Sequence, residues 1–119
     1  KKRTPSMEAS AQGSLELTRL LIKKGVDVNA RDFVGKTSLM IAAAEGHINI
    51  AKVLLREQSR LDFRDRYGWT AWIYAAEKQQ LPMVKFLSEK EIDNEGNLFY
   101  AVSRGHLKVI KILLEILKF

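Results

Sequence analysis

Cysteine is missing from this chain. Disulfides, thiolate metal sites and a cysteine nucleophile are thereby excluded, and no redox compartment is favoured. Histidine is almost as scarce: His47 and His106 are the whole supply. His-rich metal centres and most imidazole-based catalysis are poorly provided for. No apolar run is long enough to span a bilayer, and no signal peptide is visible. The chain opens on Lys1 rather than Met, which points to an upstream segment. A soluble, intracellular protein is the expectation, with the compartment left open. What is there is 119 residues, 46% hydrophobic and 29% charged, a balance that folds. That length suits one domain or one short repeat array and leaves no room for a large two-domain enzyme. Net charge is +6, which permits an acidic partner without requiring one. Residues 1–31 carry +4 of it, much of that in the tail Lys1, Lys2 and Arg3, a poor basis for a nucleic-acid groove.

The strongest signal is internal repetition. Thr37-Ser38-Leu39-Met40-Ile41-Ala42-Ala43 recurs 33 residues later as Thr70-Ala71-Trp72-Ile73-Tyr74-Ala75-Ala76. One step of 33 back lies Thr4-Pro5-Ser6-Met7-Glu8-Ala9-Ser10. Asp32 and Gly35 map to Asp65 and Gly68, and Gly13 maps to Gly46. A shortened copy follows, with Ala101-Val102, Gly105-His106-Leu107 and Ile112-Leu113-Leu114. Each unit has the same grammar. Asp-x-x-Gly makes a tight turn. The next Thr caps a short helix, and Pro5 suits a helix start. Paired small residues (Ala42-Ala43, Ala75-Ala76) allow close packing. Gly13, Gly46 and Gly105 break the chain before a second, more apolar helix. In copy two its stripe is Ile48, Ile50, Ala51, Val53, Leu54 and Leu55. Gly25 closes the second helix of copy one.

Gly25-Val26-Asp27-Val28-Asn29-Ala30, Asp32-x-x-Gly35-x-Thr37 and Gly46-His47-Ile48-Asn49-Ile50-Ala51-Lys52-Val53-Leu54-Leu55 together resemble one unit of the ankyrin repeat family. The resemblance runs over nearly the whole chain. It implies an all-α solenoid of stacked helix-turn-helix units with β-turn fingers on one side. One domain, 1–119, is expected, with about four repeats at 1–31, 32–64, 65–92 and 93–119, the last degenerate. Copy one lacks the leading turn and places Ser6 and Glu8 where apolar residues are usual, as a polar capping repeat would. Copy three has Gln79 in place of Gly, and Pro82 in the first turn of its second helix. It passes through Glu89-Lys90-Glu91-Ile92 straight to Asp93, and Gly96-Asn97 leads directly to Leu98. The finger between copies three and four should therefore be shortened. Ile116, Leu117 and Phe119 are apolar beyond the usual helix end and either cap the stack or pack on something further along.

Some motifs invite a catalytic reading. Ala30 to Thr37 satisfies a relaxed phosphate-loop pattern ending Gly35-Lys36-Thr37, but no strand series or second carboxylate motif accompanies it. His47 and His106 fall at equivalent places after a Gly and read as structural. Asp32, Asp65 and Asp93 read as turn residues. No nucleophile elbow is present. The expectation is a protein that is not an enzyme and has no cofactor, metal site or catalytic residues.

Ankyrin arrays bind partners through finger tips and the exposed face of the first helices, so the resemblance implies a protein–protein interaction module. Carried over, the tip positions are Arg31, Phe33, Val34 and Lys36 on one finger and Arg64, Arg66, Tyr67 and Trp69 on the next. The first-helix ends are Ala44, Glu45, Glu77, Lys78, Ser103 and Arg104. Aromatics interleaved with Arg are the composition of interface hot spots. The competing reading folds these aromatics back onto neighbouring fingers. Trp72 and Tyr74 replace family Leu positions and should enlarge the core. The partner implied is another protein, with the chain a monomer and no membrane involved. Two alternatives stand: oligonucleotide binding through Arg and aromatic stacking, and a structural spacer within a larger ankyrin protein.

Overall fold

Thr4, Thr37 and Thr70 each start a helix, in extended backbone, with the side-chain oxygen accepting from the N–H of Met7, Met40 and Ile73 respectively. The computed structural model describes residues 3–90 and 93–118. Lys1 and Lys2 of the basic tail, the Glu91-Ile92 link and the terminal Phe119 lie outside the described residues. Eight helices follow in order among those residues: α1 Pro5–Gln12, α2 Leu15–Lys23, α3 Ser38–Glu45, α4 Ile48–Arg56, α5 Ala71–Glu77, α6 Leu81–Lys90, α7 Asn94–Arg104 and α8 Leu107–Leu117. They form antiparallel pairs stacked side by side in a body of 44 × 25 × 21 Å. α1, α3 and α5 lie next to one another, as do α2, α4 and α6, and α6 also meets α8. The fold is the all-helical repeat stack expected.

Small residues set the close approach of the first helices. Ala9, Ala42, Ala43, Ala75, Ala76 and Ala101 are all fully buried. On the second helices Ile50, Ala51 and Leu54 of α4 are buried, while Ile48, Val53 and Leu55 are half-buried. Trp72 is fully buried and its indole N–H donates to Ser88 Oγ at 2.8 Å. A buried indole N–H needs such a partner. Its ring meets Tyr100 edge-on at 6.4 Å, which ties α5 to α7. Trp72 and Tyr74 therefore enlarge the core, as the sequence suggested.

Two expectations need correction. Ser6 is buried rather than on a polar outer face: Ser38 Oγ donates to Ser6 Oγ at 2.9 Å. Position 6 faces the next helix pair, so a small hydroxyl there is paired across the contact; only Glu8 of the two is exposed. Asp93 is not a turn residue. Its carboxylate accepts from Gly96 N–H at 3.0 Å and caps α7. Without the Thr and with seven residues fewer between Gln79 and Gly105, the Asp-x-x-Gly stretch is absorbed into the first turn of a longer helix. No finger stands before α7 among the described residues. Ile116 and Leu117 are half-buried.

Candidate functional site

Two fingers are built alike. Gly35 N–H donates to Asp32 C=O and Gly68 N–H to Asp65 C=O, each at 2.9 Å, with both glycines at positive φ. The Asp side chain braces the turn from inside. Asp32 Oδ1 accepts from Val34 and Lys36 N–H, and Asp65 Oδ1 from Tyr67 and Trp69 N–H. Asp65 Oδ2 also accepts from the Tyr74 hydroxyl, whose pKa burial pushes well above its ordinary value. Arg66 N–H donates to Val34 C=O at 2.7 Å, so one finger is bonded to the next. A groove of about 440 Å³ runs between them, lined by Arg31, Phe33, Val34, Arg64 and Arg66 among others.

The candidate side chains separate into two groups. Phe33 and Tyr67 are 66% and 71% exposed, and Arg66 is exposed with no side-chain hydrogen bond among the described residues. Glu45 and Lys78 are exposed at the ends of α3 and α5. The others are committed within the molecule. Arg31 lies over the Phe63 ring at 3.7 Å, and Arg60 lies near the same ring at 5.1 Å. Arg64 donates to Gly68 C=O at 2.8 Å. Lys36 Nζ sits 5.1 Å from the Tyr74 ring centroid, and half-buried Trp69 meets that ring edge-on at 4.9 Å. Phe63 and Arg60 were not singled out from sequence. Their signal was available, since Phe63 precedes Asp65 by two residues, but the register alone does not say which finger a side chain leans on.

The phosphate-loop look-alike is a finger in structure. The N–H groups of Val34, Gly35 and Lys36, which would have to cradle a phosphate, all donate to Asp32. Thr37 is buried and its hydroxyl caps α3. His47 and His106 precede α4 and α8 at the N-cap without a side-chain capping bond. No group of three metal-ligating side chains occurs among the described residues.

Glu77 corrects the first-helix list. Rather than an exposed end, its side chain is 13% exposed and joins three residues of the last helix pair. Arg104 makes two bonds to it, at 2.9 and 3.1 Å; the Tyr100 hydroxyl donates to it; His106 Nε2 lies 3.1 Å away. The Arg104 bonds, then those of Tyr100 and His106, hold the Glu77 pKa down at about 2 against the burial that opposes them. Burial and Glu77 push the Tyr100 hydroxyl up to about 12.

A family model described as ankyrin repeats (three copies) matches residues 1–65 and 55–118. The chain belongs to the ankyrin repeat family. No curated protein matches it. Among solved structures, the crystal structure of the human ASB11 ankyrin repeat domain is 31% identical, with a TM-score of 0.79 over 95% of this chain. The match covers 54% of that chain, so the present chain spans about half its length. Ankyrin repeat domains are generally non-enzymatic modules that bind other proteins. No helix among the described residues is long and apolar enough to cross a membrane.

Proposed function

We propose that this domain binds another protein through its two fingers, with Phe33 and Tyr67 as the apolar anchors and Arg66 as the charged one. The observation that carries this reading is the exposure of two large aromatic rings on turns that are otherwise braced rigidly. Two large rings on adjacent, internally braced tips offer a preformed contact area of the kind that anchors interfaces. The bracing by Asp32 and Asp65 means little ordering entropy is lost on docking. Glu45 and Lys78 lie at the rim and would set orientation and association rate more than affinity. Arg31, Arg64, Lys36 and Trp69 support the fingers that carry the anchors.

Capture from a lysate tests this. The double variant Phe33→Ala/Tyr67→Ala should lose proteins that the wild type retains while keeping its helical circular dichroism. Equal retention by both would contradict it. The nucleic-acid reading predicts a steep fall in affinity with added salt and nuclease-sensitive capture. The three committed cations on the fingers weigh against it, because Arg31 and Lys36, held over rings, and Arg64, bonded to a carbonyl, are less free to reach phosphates.

A further inference from the structure

A second groove, of about 560 Å³, lies between α4 and α6 and shares no lining residue with the groove between the fingers. Its floor is Leu55, Leu61 and Phe86, all half-buried. Its rim is Lys52, Arg56 and Lys90, all exposed. No carboxylate lines it, and none of the three cations is in an ion pair among the described residues. Lys52 Nζ and Lys90 Nζ each sit 5.7 Å from the Phe86 ring centroid, one ammonium from each helix.

The repeat register shows that this is peculiar to one step of the stack. At the preceding step, between α2 and α4, the equivalent positions hold Arg19, Ile22 and Lys23 with Val53 and Glu57. There an acid stands where Lys90 stands, and a smaller side chain where Phe86 stands. At the following step, between α6 and α8, they hold Lys85, Ser88 and Glu89 with Ile112 and Ile116. Only the α4/α6 step combines an aromatic floor with three cations and no compensating acid. Like charges around a shared apolar floor repel one another, an arrangement that an anionic partner relieves.

We infer that the α4/α6 groove is a second docking site, for an acidic protein segment that places one bulky apolar side chain on Leu55, Leu61 and Phe86 and flanking carboxylates on Lys52, Arg56 and Lys90. The volume lies in the range of ligand clefts and suits one side chain with its neighbours. The cations supply steering and orientation and the floor supplies burial. The two grooves share no lining residue, so substitutions at Phe33 and Tyr67 leave the residues of this site unchanged.

Fluorescence anisotropy with a labelled peptide, Asp-Glu-Asp-Leu-Phe-Asp-Glu-Asp, tests this. The wild type and the Phe33→Ala/Tyr67→Ala variant should bind it alike and saturably. Lys52→Glu/Lys90→Glu should weaken binding by roughly tenfold or more, and the milder Lys52→Gln/Lys90→Gln by less. Both lysines are exposed, so circular dichroism should be unchanged, and the Gln pair decides the matter if charge reversal disturbs the fold. A control peptide with Ser-Ser in place of Leu-Phe should bind far more weakly. The inference is overturned if no saturation is reached by about 1 mM peptide, if the lysine variants bind as the wild type does, or if the Ser-Ser peptide or an oligothymidylate competes equally well.

Discussion

Ser10 occupies the position that Ala43 and Ala76 hold one and two steps of 33 later. All three are fully buried, and the Ser10 hydroxyl has no hydrogen-bond partner among the described residues. A buried hydroxyl without a partner costs free energy that a methyl group does not. Ser10→Ala should therefore stabilise the domain by about 1 kcal/mol, seen as a higher urea midpoint with unchanged slope. Glu77 makes the opposite case. Its folded pKa, about 2, lies below its ordinary value of 4.5. The ionised form thus stabilises the fold fully above the ordinary value, and this contribution is lost as pH falls from there towards about 2. Arg104 is 54% exposed and solvent screens its part. Allowing for that, the contribution is on the order of 2 kcal/mol near neutral pH. Glu77→Gln should be less stable than the wild type by that amount at neutral pH, and the gap should close in acid. Urea unfolding at pH 6 and pH 2.5 should show the gap much reduced at the lower pH; a gap that does not narrow would refute the assignment.

The elements follow from local grammar wherever the grammar is intact. Thr4, Thr37 and Thr70 cap helices whose starts could be placed from sequence, and Gly46 ends α3 at the expected residue. Gln79, in the place of that glycine, adopts the same left-handed backbone at φ 56 and bonds back to Ala76 C=O. Where residues are missing, the grammar misleads. Asp93-x-x-Gly96 has the spelling of a turn, but the shortened chain puts it at a helix start, and Asp is as good at a cap as in a turn. Asp93→Ala should cost about 1 kcal/mol and raise amide exchange in the first turn of α7. Unchanged exchange there would show that the cap is not what holds that turn. The candidate site was legible to a similar extent. Phe33 and Tyr67 stand out as exposed aromatics on turns. Yet sequence could not show that Trp69 folds onto Tyr74, that Arg31 lies on Phe63, or that Glu77 turns inward to Arg104. Those outcomes depend on contacts between repeats, and a periodic pattern gives the register of such neighbours without the direction each long side chain takes.

At the scale of the molecule, the stack sets two surfaces apart. The fingers extend from the loops ahead of α3 and α5, stitched by the Arg66–Val34 bond, and the lysine-rimmed groove lies between α4 and α6. A stack in which each pair buries its neighbour is held by nearest-neighbour contacts, so a change on one finger should leave the distant helix pairs unaffected. The position of a bound partner on this surface tests the central claim most directly. Amide hydrogen exchange of the domain, alone and with a protein captured by the wild type and lost by the Phe33→Ala/Tyr67→Ala variant, reads that position. The account predicts new protection at residues 31–36 and 64–69 and at the exposed ends of α3 and α5. Protection confined to other parts of the stack, with both fingers exchanging as in the free domain, would contradict it.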